Sequence, residues 1–244
     1  MKRYDRNRVG LKTQDPLEDF EGSQAELYFL RFSYFIADNR SRIFAGIGVL
    51  AVVGIILIGY YEYKISQIEK ASIEIEKLEK HFALNTAEIE EQLAGFVKIK
   101  NNYSPSEVQL RLNKKLADLH ARKGEFAQAA ELMANAGRDM DDIPELKAYY
   151  FYIAGNYYEQ GSDLAKSLTS FEAASSLIEN ARNIPTMKAW TFFHTGRLYY
   201  LNKNKAAAKN YLKKVIDITE DGGAAYQKAK ELSIYLILKL NQEA

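Results

Sequence analysis

The sequence predicts an all-α protein: a single transmembrane helix followed by a helical-repeat solenoid. Three observations carry that expectation. An uncharged run of 19 apolar or aromatic-belt residues, Ile43 to Tyr61, lies between Arg42 and Glu62. Only four prolines occur in 244 residues, and strand-like alternation is scarce. Three of those prolines, Pro105, Pro144 and Pro185, stand 39 and 41 residues apart. A period near 40 is the signature of stacked helix pairs.

Residues 1–22 are polar and charged, with Pro16 and Gly22 as breakers, and are expected to form a disordered cytoplasmic tail. In residues 23–42 the aromatic and aliphatic side chains of Leu27, Tyr28, Phe29, Leu30, Phe32, Tyr34, Phe35 and Ile36 crowd together. They suit a short interfacial helix at the membrane face, or an apolar helix docked on a partner. Asp38-Asn39-Arg40-Ser41 offers turn and capping chemistry before the span. Residues 43–61 form the transmembrane helix: as an α-helix the run reaches about 28 Å, close to the hydrocarbon thickness of a bilayer. Eleven of its residues are Ile, Leu, Val or Phe. The run starts too late in the chain for a cleaved signal, and Tyr60, Tyr61, Glu62, Tyr63 and Lys64 form an interfacial belt at its end. Ala45, Gly48, Ala51 and Gly54 recur every third residue and would let another helix approach. Lys2, Arg3, Arg6, Arg8, Lys12, Arg31, Arg40 and Arg42 precede the span, while Lys64 and Lys70 follow it closely. That bias places the N-terminus in the cytoplasm and the large C-terminal part outside.

Residues 62–103 are expected to be connecting amphipathic helices. Ile65, Ile68, Ala71, Ile75 and Leu78 share one stripe. That stripe must be buried on the C-terminal domain or on another copy of the chain, which leaves a homo-oligomer possible. Ile89, Leu93, Phe96 and Val97 mark a helix that caps one end of the repeats. Residues 104–244 hold the repeats and a C-terminal capping helix. Ser104-Pro105-Ser106-Glu107 reads as a capping box with Pro at the first helical position, and Asp142 and Asn183 stand where they could cap the next two pairs. Asp221-Gly222-Gly223 opens the last helix, whose inner face is Tyr226, Ala229, Leu232, Leu236 and Leu240.

The residues inside each period resemble tetratricopeptide repeats, which place small residues where paired helices touch. Leu116-Ala117 precedes Gly124-Glu125-Phe126 and Ala129-Ala130. Ala154-Gly155 precedes Tyr158, and Gly196 precedes Tyr199 at a matching spacing. The domain is therefore expected to be a tetratricopeptide-like helical-repeat solenoid.

Composition narrows the chemistry. A net charge of +1 gives no global field for nucleic acid, and none is expected as a partner. The absence of cysteine removes disulfides, thiolate zinc sites and thiol catalysis. His81, His120 and His194 lack metal-ligand spacing, and no phosphate-binding or nucleophile-elbow motif occurs. Asp139, Asp141, Asp142 and Glu145 form an acidic segment without the calcium-loop pattern. No catalysis, cofactor or metal is expected. Recognition is what remains. Helical spacing projects Arg111, Lys114, Tyr149, Tyr152, Asn156, Trp190, Phe193 and Arg197 onto the inner groove, a protein- or peptide-binding surface with Trp190 as its chief anchor.

The order of parts resembles the YfgM-like family, an ancillary subunit of the bacterial Sec translocon. The resemblance rests on the aromatic segment with Phe35 and Asn39, the run Ile43 to Tyr61, and Lys98 to Tyr103 leading into Leu116-Ala117. It extends through Lys123-Gly124-Glu125-Phe126-Ala127-Gln128-Ala129-Ala130. The tail here is longer and the repeat spacing wider. The resemblance implies a single-pass protein of the bacterial inner membrane with a periplasmic domain. It also implies translocon subunits and periplasmic chaperones as partners, and no catalysis. A structural subunit of a large envelope machine, secretory or flagellar, and a homo-oligomeric spacer built on residues 65–80 are the alternatives.

Overall fold

A computed structural model describes residues 23–84, 88–140, 143–219 and 222–242. The expected tail (1–22), Asp141, Asp142 and Asp221 lie outside the described residues. Among the described residues the regular structure is entirely α-helical. The helices are α1 (Gln24–Leu84), α2 (Ile89–Asn102), α3 (Ser106–Arg122), α4 (Phe126–Asp139) and α5 (Pro144–Gln160), then α6 (Leu164–Ile178), α7 (Pro185–Leu201), α8 (Lys205–Ile216) and α9 (Gly223–Gln242). The chain divides into two units, Met1–Tyr63 and Lys64–Ala244.

In the first unit, α1 carries a stretch long and apolar enough to cross a membrane, and none of that stretch is buried. The expected break before it does not occur. Asp38-Asn39-Arg40-Ser41 is helical, and Asn39 donates from Nδ2 to the Phe35 carbonyl one turn back. With no Gly or Pro in the segment, side-chain back-bonding satisfies the turn-forming residue inside the helix. A cap does stand at the start of α1, where Ser23 and Glu26 exchange hydrogen bonds in a capping box.

The second unit is built from helical hairpins. Ala71 and Ile75, at the far end of α1, are fully buried with Phe96 and Ile99 of α2 and Val108, Leu112, Leu116 and Leu119 of α3. The amphipathic stripe is thus covered by its own domain. Ile65 stays exposed, and so does Val97, whose expected place on the inner face of α2 is taken by Ile99. From α3 onward each helix packs on the next, and α9 packs on both α7 and α8.

The three hairpin turns are one motif used three times. Gly124, Ser162 and Lys203 have left-handed backbones, with φ of 79°, 63° and 59°. The following residue donates its N–H to a carbonyl five residues back: Glu125 to His120, Asp163 to Tyr158, Asn204 to Tyr199. The left-handed residue itself bonds three residues back, to Ala121, Glu159 and Tyr200. This pair of bonds satisfies the last carbonyls of α3, α5 and α7. Asp163 and Asn204 then cap α6 and α8 through their side chains.

Close approach of the paired helices is set by glycine. A Cβ on Gly155 would lie 2.9 Å from Phe171 Cε2, and one on Gly196 would lie 2.8 Å from Leu212 Cγ. These are the small-residue positions expected of tetratricopeptide-like pairs. Pro144 and Pro185 occupy the first turns of α5 and α7 as expected. The capping expectations for Pro105 and Asn183 fail, while that for Asp142 lies outside the described residues. Pro105 precedes α3 instead of entering it, with no side-chain cap bond. Ile184, not Asn183, is the residue before α7; Asn183 sits in the preceding loop with φ 64°. Proline's fixed φ can start a helix without a capping side chain.

Candidate functional site

Four of the eight projected groove residues, Tyr152, Asn156, Trp190 and Arg197, converge where α5, α6 and α7 meet. Tyr152 meets the Phe171 ring edge-on at 5.6 Å and the His194 ring at 5.8 Å. His194 stacks flat on Phe171, with centroids 5.0 Å apart and planes 6° from parallel. Trp190 closes the other side, 5.7 Å from His194 and 5.6 Å from Phe193. Offset and edge-on contacts of this kind let ring edges meet ring faces. The polar end of the cluster is an ion pair between Arg197 and Glu159, and Arg197 Nη2 also lies 3.2 Å from His194 Nδ1. Asn156 turns its Nδ2 back to the Tyr152 carbonyl at 2.8 Å.

Electrostatics follow from that packing. Burial, then the neighbouring Arg197 charge, lowers the His194 pKa to about 4, against the opposing pull of Glu159. His194 is therefore a neutral aromatic at physiological pH. Burial raises the Tyr152 phenol above its ordinary value.

Two expectations about the groove need correction. Phe193 is buried in the core formed by α7, α8 and α9, so it supports the surface from beneath. A helix packed on two neighbours is apolar on more than one face, and spacing alone does not tell which face is outward. Arg111 and Lys114 belong to a different place. On α3, Arg111 lies 3.6 Å and Lys115 2.9 Å from Glu79 at the end of α1, while Lys114 is exposed. There a cleft of about 430 Å³ is lined by Glu79, Phe82, Lys115, Asp118 and Arg122, among others. Tyr149 is 37% exposed on α5 and meets Tyr150 edge-on.

Sequence reasoning picked out Tyr158 and Tyr199 as repeat residues but missed the carboxylates through which they join one hairpin to the next. Tyr158 on α5 donates to Glu131 on α4 at 2.6 Å, and Tyr199 on α7 donates to Glu172 on α6. Both pairs span 27 residues, and the second follows the first by 41. Arg138 also bonds Glu131 at 2.7 Å. The signal for Glu131 and Glu172 was present as that shared separation, but a glutamate does not stand out without it. Among the described residues, no cluster of His, Cys, Asp or Glu is arranged to hold a metal.

No family model matches this chain, and no curated protein matches it. Among solved structures it is similar to the crystal structure of BtubC (BKLC) from P. vanneervenii. That chain is 13% identical, with a TM-score of 0.42, over 74% of this chain and 91% of that one. The likeness is too slight to carry an assignment.

Proposed function

We propose that this chain is a membrane-anchored tetratricopeptide-repeat adaptor that binds partner proteins at the bacterial inner membrane. The observation that carries the reading is the contrast between its two units. One holds an apolar helical stretch of which nothing is buried, and the other holds the four hydrophobic clusters found among the described residues, drawn from residues 68–240. A domain complete in itself has no use for that apolar stretch in its own folding; a bilayer does. The N-terminus lies in the cytoplasm and the domain in the periplasm, on the basic residues before the span.

The adaptor works by position. Anchoring confines the domain to a surface and raises the local concentration of what it binds. Trp190, Tyr152, Asn156 and Arg197 form the recognition face, with aromatic anchors beside an ion pair able to meet peptide polar groups. The chain transforms nothing. Its partners are translocon subunits and periplasmic chaperones, the class its family resemblance implies. Photocrosslinkers placed at Tyr152 and Trp190 in intact membranes test this. Capture of translocon subunits or periplasmic chaperones supports the reading, and capture of cytoplasmic proteins alone overturns it.

A further inference from the structure

The last two helices carry a marked excess of basic residues. Helix α8 contains Lys205, Lys209, Lys213 and Lys214 and no acidic residue. Helix α9 contains Lys228, Lys230 and Lys239 against Glu231. Seven lysines and one glutamate give +6, in a chain whose total is +1. The same two helices leave apolar side chains in solvent. Ile234, Tyr235 and Leu238 are 42%, 63% and 57% exposed, and they fall within one turn on one side of α9.

The two features adjoin. Lys209 reaches across from α8 to the Asn241 Oδ1 at 2.9 Å, which brings the lysine ridge beside the Leu238 end of the apolar strip. Lys239 lies over the Tyr200 ring at 5.4 Å in the same region. Lys228 and Lys230 stand at the other end of α9, Lys228 in an exposed ion pair with Glu231 at 3.8 Å and Lys230 over the Tyr226 ring at 5.8 Å. An apolar strip between cations repels a basic partner and complements one that alternates carboxylates with aliphatic side chains.

We propose that α8 and α9 form a second recognition surface, whose occupant is an acidic amphipathic helix of a partner protein. Aliphatic anchors one turn apart on that helix cover Ile234, Tyr235 and Leu238. Its glutamates and aspartates meet Lys209 and Lys239 at one end and Lys228 and Lys230 at the other. The surface is separate from the one around Trp190 and shares with the adaptor reading only the premise that the domain binds protein.

The test uses the full chain in phosphatidylcholine nanodiscs. Because the chain has no cysteine, Gln227→Cys gives one site for an environment-sensitive bimane beside the strip. The probe is a synthetic amphipathic peptide of about 18 residues made of Leu and Glu, long enough to lie along most of α9. A Leu and Lys peptide is its control. The Glu peptide shifts the bimane emission, and its affinity falls several-fold as salt rises from about 50 to about 500 mM. Tyr235→Ser with Leu238→Ser, both at exposed positions, weakens it by about tenfold or more. Tyr152→Ala, whose ring packs on Phe171 and His194 and not on the core under α9, leaves the titration unchanged, so failure of the surface around Tyr152 and Trp190 is told apart from failure of this one. Equal binding of the Lys peptide, or no effect of the double substitution, overturns the proposal. So does an emission shift produced by phosphatidylglycerol nanodiscs without peptide, which assigns the surface to anionic lipid.

Discussion

Tyr158 on α5 donates its phenolic proton to Glu131 on α4 across the junction between two hairpins, at 2.6 Å. The phenol is buried, and burial with the Glu131 carboxylate holds its pKa well above the ordinary tyrosine range. The same hydrogen bond is the leading cause of a lowered Glu131 pKa. Tyr199 and Glu172 repeat the arrangement one hairpin later, where that bond and burial raise the phenol to about 12. Tyr158→Phe is expected to cost about 1 kcal/mol, since Glu131 is half in solvent and its bond is partly replaced by water. A double-mutant cycle of Tyr158→Phe with Glu131→Gln, read by denaturant unfolding, should return a coupling of similar size. Zero coupling would show that the two residues are merely neighbours.

Gly155→Ala sets two effects against each other. Alanine favours the helix by roughly 1 kcal/mol. Its methyl group would press on Phe171, which is completely buried and has no room to turn aside. Overpacking of this kind costs about 1–3 kcal/mol, so the net change is destabilising. Phe171→Leu should recover part of the loss when combined with Gly155→Ala, and chemical denaturation of the two single variants and the pair reads it.

Ser162 and Lys203 hold left-handed backbones that L-residues adopt at a cost of about 1–2 kcal/mol. Glycine is free of that cost but loses more entropy on folding. Ser162→Gly and Lys203→Gly should therefore each raise stability by a few tenths to about 1 kcal/mol. Gly124→Ala, at the equivalent turn, should lower it by a similar amount. Thermal melts of the three variants check the signs together.

His194 makes the domain sensitive to acid. Its pKa is about 4 in the fold against 6.5 when unperturbed. Between those values the unfolded chain binds more protons than the folded one, so stability falls as pH falls from 6.5 towards 4. The ceiling is roughly 3 kcal/mol at one pKa unit per 1.36 kcal/mol. His194→Phe should flatten the melting temperature across that window relative to the parent. An unchanged slope in the variant assigns the acid sensitivity to other groups.

Val52→Arg probes the first unit alone. An arginine at the centre of a membrane helix costs about 2.5–3.5 kcal/mol. Membrane retention after carbonate extraction should drop in the variant, while the helical signal of the C-terminal domain stays. Release of the parent chain by carbonate or high salt would exclude the spanning role.

The parts of the fold that were legible in the sequence are those decided within a turn or two of chain. Pro144 and Pro185 mark helix starts because a fixed φ suits the first turn. Gly155 and Gly196 mark helix contacts because only a missing side chain permits them. What was not legible depends on distant partners. Asp38-Asn39-Arg40-Ser41 has the residues of a turn but continues as helix. The stripe of Ala71 and Ile75 could equally have faced a second copy, and it is α2 and α3 that cover it. Around the candidate site, Tyr152, Trp190 and Arg197 come together because hairpins repeat their geometry, whereas Phe193 turns inward. Arg111 sits near Glu79 because α3 packs on a helix outside the repeat, which no repeat pattern encodes.

The identical hand and bonding of the turns at Ser162 and Lys203 make those two points interchangeable as seams. A chain joined from one directly to the other would lose 41 residues and keep an undisturbed bend at the splice. Helix α8 would then follow α5, with Leu212 offered to Gly155 in place of Phe171. Such a gene can shrink or grow by whole segments through unequal crossing-over without breaking the frame of its architecture, a route by which a wider or narrower reach is selected.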